Sequence, residues 1–250
     1  MNAIKRSTNI VWLIFKHEFN LYFFSPYVYL IGAVWLFFAG LFFSFSLSGF
    51  NQGAEPSMAI VEQSMVFLMI FVAPALTMRL IADELRAGTH ELLFTSPLKD
   101  WEIILGKWLA VWAVYTVYVL ITLPMPIILM TRGNPDPGLL ATGYLGMWLI
   151  GGATLAIGVF GSSITQHQAV AFMVTMGILV AMWISGNVSG LFNNQFVADI
   201  LDEVSLVTHY GSLVNRALIN PVDVAFFIGI IAVFLFLATQ TLSTRRWNAS

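Results

Sequence analysis

The sequence predicts an all-α integral membrane protein with six transmembrane helices, on three observations. Apolar residues make up 58% of the 250 positions and charged residues 10%, with a mean hydropathy of +0.83. An ordinary soluble domain carries about 25% charged residues to wet its surface, so most of this surface must face lipid. The charges also leave runs long enough to cross a bilayer, which takes about 20 mostly apolar residues. Finally, the breaks between runs collect the ionised groups and prolines that a span excludes, a charge at mid-bilayer costing about 2.5–3.5 kcal/mol on insertion scales.

The first element is a helix over residues 5–23, lying on the inner surface. At about 100° per residue, Lys5, Asn9, Lys16 and Asn20 fall on one side. Val11, Ile14, Phe15, Tyr22 and Phe23 project away from them, as an interfacial helix requires. Glu18 falls on the apolar side, where an unpaired carboxylate is costly. A structural ion pair with an inner basic residue such as Arg79 answers that cost; signalling to a partner is the sharper alternative. The segment is not a cleavable signal, since Lys16-His17-Glu18 precedes an apolar run too long for one and no small-residue cleavage site follows.

The spans follow in order. No residue from Phe19 to Ala54 is charged, and 27–47 is the first. The second is 60–81, with Glu62 near one mouth and Arg79 near the other. The third is 103–130, kinked near its end by Pro124 and Pro126, because proline removes a backbone donor and clashes with the preceding turn. Pro137 to Ala198 is free of charge and holds two spans, 139–160 and 169–191, about the polar hinge of residues 162–168. The sixth, 222–242, closes on Arg245-Arg246-Trp247. With the N-terminus inside, nine Lys and Arg face inward and two, Arg132 and Arg216, face outward. The positive-inside rule therefore puts both termini in the cytoplasm.

Several functions are excluded. A net charge of −2 offers no basic face for nucleic acid. The absence of cysteine removes disulfides, thiolate metal sites and cysteine nucleophiles. Short loops leave no room for a catalytic domain outside the membrane. The phosphate-cradling pattern G-x-x-x-x-G-K-[ST] is absent: Gly106-Lys107 is followed by Trp108. His90-Glu91 lacks the second histidine of a zinc peptidase, and the four histidines are dispersed, so no metal site is expected. An intramembrane enzyme would need facing His, Asp, Glu or Ser groups at membrane depth, and no such constellation is visible. The sequon Asn187-Val188-Ser189 lies at the membrane, and Gly186 with Gly190 makes a small-xxx-small pair that suits either packing within the chain or a dimer contact.

Two connections stand out. Between spans two and three, residues 83–101 gather Asp83, Glu84, Arg86 and Glu91 about Gly88-Thr89. Gly88 suits the left-handed residue that ends a helix and Thr89 can cap the next. A short helix over residues 90–94 then presents Glu91, and Pro97 stops it. A solvated loop explains the charges as well, but Leu92-Leu93-Phe94 fits a plug entering a partner's groove. The outer connection, 192–221, is too long for a turn and too apolar for a solvated loop, and short re-entrant or interfacial helices are expected there.

The stretch DELRAGTHELLFTSPLKDWEIILGKWLA resembles the segment between the second and third spans of type-2 ABC exporter permeases. FKHEFNLYFFSPYVYLIG, GSSITQHQAVAF and VTHYGSLVNRALINPVDVAFF are similar to that family's N-terminal elbow and first span, its fourth-to-fifth hinge and its approach to the sixth span. In combination they are most similar to the gliding-motility permease GldF and its relatives. The resemblance implies an N-terminal elbow helix, a cytoplasmic coupling helix between spans two and three, and short outer helices before span six. It implies a working unit of two permease chains, as a homodimer or with a related second chain, and two ABC ATPase subunits. ATP and Mg would bind in the ATPase, with no cofactor in this chain. The coupling role falls on Glu84, Gly88, Thr89, Glu91, Leu92 and Pro97, with Lys107 at the inner mouth of the third span. In this family the second and fifth spans face the partner, so Ser64, Thr77, Thr175, Ser185 and Asn187 are the polar residues available to a substrate, or else are helix-packing groups.

The function expected is thus that of a permease subunit in a bacterial inner membrane. The scarcity of charge within the spans argues against ion coupling and suits an amphipathic or lipid-linked cargo. The alternative is a mechanotransmitting ABC membrane subunit that works on an envelope partner without carrying cargo.

Overall fold

A computed structural model describes residues 3–51, 57–88, 98–191, 194–215 and 220–248. The described residues form helices α1 (Ala3–Phe23), α2 (Pro26–Asn51), α3 (Ala59–Thr77), α4 (Ala82–Ala87), α5 (Asp100–Thr122), α6 (Pro124–Arg132), α7 (Pro137–Ile164), α8 (Gln168–Val188), α9 (Gln195–Val204), α10 (Leu206–Asn215) and α11 (Pro221–Asn248). Six stretches are long and apolar enough to cross a membrane: Pro26–Gly49, Ala59–Ala87, Asp100–Thr131, Pro137–Ile164, Gln168–Val188 and Pro221–Arg245. The chain is a multi-pass, all-helical membrane protein.

Local chemistry sets the helix ends. Pro137 occupies the first turn of α7, where its missing N–H costs nothing, and Asp136 accepts from Gly138 N at 2.8 Å. Asn194 caps α9 in the same way through Phe196 N. The third span departs from a simple kink: α5 stops at Thr122, and α6 restarts at Pro124 after one linking residue. Pro124 and Pro126, two positions apart, each lack a backbone donor, so the helix breaks into two pieces.

In lipid, helices gain little from hiding apolar surface, and close approach with interhelical hydrogen bonds must hold them. α7 is built for this. It packs against α3, α5, α8, α10 and α11, and 83% of its most apolar window is buried, against 22–39% for the first, third, fifth and sixth spans. Its glycines admit side chains from several neighbours. A Cβ at Gly151 would lie 2.0 Å from the Tyr115 ring, one at Gly158 2.1 Å from Thr77 Oγ1, and one at Gly161 2.1 Å from Thr175 Oγ1. Along the α5 seam, Tyr115 donates to Met147 O at 2.8 Å and Trp108 to Gly152 O at 3.0 Å. Trp112 donates to Trp148 O, and Trp148 in turn to Thr116 Oγ1.

α1 packs lengthwise on α5. Its buried stripe holds Val11, with Ile14, Phe15, Glu18, Phe19 and Tyr22 partly buried. Phe23, grouped with that stripe by periodicity, is 53% exposed and stacks edge-on with Phe24 and Tyr29 at the turn into α2. In the outer connection α9 buries no residue, whereas α10 sinks Leu206, His209, Tyr210 and Leu213 against the bundle. Gly186 serves packing within the chain, since a Cβ there would meet Ser205 Oγ at 2.4 Å.

Gly151→Ala and Gly158→Ala should each lower stability by about 1–3 kcal/mol through overpacking, read as an earlier thermal unfolding midpoint in detergent. Gly177→Ala, with nothing within 4 Å of the added Cβ, should leave the midpoint unchanged or slightly higher. Equal midpoints for all three would remove the glycines from the account of α7.

Candidate functional site

The site is a joint in the polypeptide at the end of α3. α3 stops at Thr77, the turn Met78–Ile81 follows, and α4 starts at Ala82 and ends on Gly88 in the left-handed conformation, φ 71°. A break within a membrane-spanning stretch exposes backbone groups that lipid cannot satisfy; here side chains from four other helices meet them, and a fifth helix holds the Asp83 side chain. Tyr27 of α2 donates to Ala75 O at 2.9 Å and Tyr22 of α1 to Leu76 O at 2.8 Å. Burial, then the Glu18 carboxylate, push the Tyr22 hydroxyl well above its ordinary range, so it stays a donor. Ser162 of α7 accepts from both Ile81 N and Ala82 N at 3.1 Å and donates to Met78 O. It caps α4 from another helix. Gln168 of α8 donates to Asp83.

The fifth contribution is Lys107 of α5. Its ammonium meets Glu18 Oε1 at 2.6 Å, Glu84 Oε1 at 2.7 Å and Leu80 O at 3.1 Å. An ammonium has three donors, and all three are used. The side chain is 3% exposed, that of Glu18 13% and that of Glu84 30%. One buried cation therefore ties α1, the joint, α4 and α5 together. The node corrects an expectation: Glu18 pairs with Lys107 and not with Arg79. α1 seats directly on Gly106, where a Cβ would fall 2.7 Å from Ile14 Cγ2, which brings Glu18 over the neighbouring lysine. Arg79 leaves the joint outward and lies over the Tyr27 ring, 4.5 Å from its centroid. Beside the node opens a cavity of about 580 Å³, with His17, Glu18, Arg79, Asp83 and Glu84 on its polar wall.

The remaining residues singled out by sequence are dispersed. Thr89, Glu91, Leu92, Pro97 and the short helix expected over 90–94 lie outside the described residues. Thr77 and Thr175 are buried against the α7 glycines, and Thr77 donates to Ala73 O of its own helix at 2.7 Å. Ser185 donates to Met182 O and Asn187, on the exposed side, to Trp183 O. Ser64 is half-buried beside a groove of about 330 Å³ lined by Phe67, Trp183 and Tyr210. Among the described residues, no three His, Asp or Glu side chains converge as metal ligands. Sequence reasoning missed Ser162, Tyr22 and Tyr27 as partners of the joint. The one signal for Ser162 was its place in a polar hinge between two charge-free spans.

A family model described as "ABC-2 family transporter protein" matches residues 12–247. Two proteins, from Escherichia coli K12 and Escherichia coli O157:H7, each described as "Probable multidrug ABC transporter permease YbhR", are 25% identical over 168 residues. The match takes in 67% of this chain and 45% of the length of each relative.

Lys107→Met should destabilise the fold by about 3–5 kcal/mol, because it strands two carboxylates without their cation. Adding Glu18→Gln and Glu84→Gln to it should restore much of the loss. Ser162→Ala, which leaves two buried N–H groups unpaired, should cost about 1–3 kcal/mol. Chemical denaturation of the purified chain in detergent measures all three, and a Lys107→Met protein as stable as wild type would sink the node.

Proposed function

The chain belongs to the ABC-2 family of transporter proteins, and from that premise we propose that it is the membrane-spanning permease subunit of an ATP-driven exporter. A separate ABC ATPase, holding ATP and Mg, docks on the loop after α4, where Glu84, Gly88, Thr89, Glu91, Leu92 and Pro97 form the coupling segment. A second permease chain, identical or related, completes the pore. The complex sits in a bacterial inner membrane with both termini in the cytoplasm. The cargo is amphipathic or lipid-linked. A relative's description as a probable multidrug permease supports that class.

The observation that supports coupling most is the braced joint. A push on the loop reaches α4, and α4 is bonded through Glu84 to Lys107 and through its first N–H groups to Ser162. The joint therefore passes displacement to α1, α5 and α7 together. ATP binding closes the ATPases on each other, the loop moves with its socket, and the bundle shifts between two arrangements. In this reading the helix α1 acts as the family's elbow, and α9 with α10 as its outer helices.

The resemblance to the gliding-motility branch supports a second reading. The same joint would serve a mechanotransmitting subunit that turns ATP hydrolysis into work on an envelope partner. The cargo pathway separates the two.

Co-expressed with its chromosomal neighbours and purified in mild detergent, the chain should bring down a stoichiometric ATPase. Changing Glu91→Ala together with Leu92→Asp should weaken that association about tenfold, or about 1.4 kcal/mol. An ATPase indifferent to the pair would overturn the coupling segment. ATP-driven accumulation of a fluorescent amphipath in inverted vesicles then supports export, and its absence in a coupled complex favours force transmission.

A further inference from the structure

The opposite end of α3 holds a group that coupling does not use. Glu62 lies in the first turn of the helix, about 22 Å along the helical rise from Thr77 at its other end. It is 3% exposed, and its Oε1 has no hydrogen-bond partner. Gly143 of α7 makes the room: a Cβ there would lie 2.0 Å from Glu62 Oε2. Burying an unpaired carboxylate costs several kcal/mol. Among the described residues, the other carboxylates at comparable depth are partnered: Glu102 by Lys99 N and Asp223 by Ser212.

Glu62 lines a cavity of about 220 Å³ with Asp136, Leu139, Leu140 and Val214. Next to it stands a second unpaired group, the hydroxyl of Tyr210, whose residue is 4% exposed. Gly146, one turn along α7 from Gly143, faces the Tyr210 ring, 3.1 Å from where its Cβ would lie, so Glu62 and Tyr210 pack on the same face of α7. Tyr210 also lines the aromatic groove that runs beside Gln63 and Ser64, with Phe42, Phe67 and Trp183. Among the described residues, no Lys or Arg side chain lines either space. One free carboxylate and a phenol are too few ligands for a divalent metal, which asks for about six oxygens. They suit an organic ammonium, which a carboxylate bonds and aromatic faces attract.

We propose that Glu62 and Tyr210 form a binding station for the protonated amine of a cationic amphipath. The ammonium bonds Glu62 Oε1, its apolar part meets Leu139, Leu140 and Val214, and the aromatic groove receives the rest of the molecule. As a station for cargo this rests on the exporter reading, but binding itself needs no ATPase. A failure here leaves the docking measurement on Glu91 and Leu92 standing, and the reverse.

The test is fluorescence titration of the full chain in phosphatidylcholine nanodiscs with dansylcadaverine, a primary amine, and with its neutral N-acetyl form. The wild-type chain is expected to bind the amine at least tenfold more tightly than the acetylated probe. Glu62→Gln should erase that preference while leaving the acetylated probe's affinity unchanged. Equal binding of the two probes by wild type overturns the proposal, and so does a preference that survives Glu62→Gln. If that variant fails to fold, Tyr210→Phe decides: about a threefold loss for the amine alone supports the station, and no loss overturns it.

Discussion

Everything in this protein depends on how helices adhere where the surrounding solvent is as apolar as their side chains. Lipid removes the drive that gathers a soluble core, and α7 supplies the substitute. Its glycines let Tyr115, Thr77 and Thr175 approach to contact, and its carbonyls accept from Tyr115, Trp108 and Trp112. The less buried spans can then turn much of their surface to lipid. Phe37, Met173 and Phe236 are each more than half exposed without penalty, since hydrocarbon meets them outside.

Against that scaffold, α3 is the element with chemistry at both ends. It begins at a carboxylate that the fold leaves unpaired and ends at a joint where every exposed carbonyl named here is met by a side chain from another helix. The contrast is physical. At the joint, Lys107 binds both Glu18 and Glu84 beside an open cavity. At Glu62 the packing offers room and no cation. A joint bonded on several sides holds its shape, whereas Glu62 Oε1 keeps its bonding capacity unspent. Both properties lie on one helix that touches α2, α7 and α8.

Much of the fold was legible in the sequence, because charge is so scarce that its gaps mark the spans. Six stretches are long and apolar enough to cross a membrane, the number that the charge gaps at 27–47, 60–81, 103–130, 139–160, 169–191 and 222–242 predict. Gly88 was read correctly as a left-handed terminus. The site was less legible. Glu18 was flagged as needing a partner, but the partner lies 89 positions away on α5, and periodicity says which face a residue occupies without saying which helix arrives there. Arg79 was plausible by charge alone. Glu62 read as a residue near a mouth, and only the missing Cβ of Gly143 reveals that it is enclosed. The break after Thr77 gave no sequence signal beyond Pro74, because its backbone is satisfied by residues from distant helices.

The Lys107 node also orders the making of the protein. The chain is synthesised from its N-terminus, so Glu18 and Glu84 exist before Lys107 emerges. The lysine stands near the start of α5, and its burial there is tolerated only with the carboxylates beside it. The node therefore closes only once α5 has been made and packed, and the first helix and the joint stay unlocked from each other until that late segment arrives.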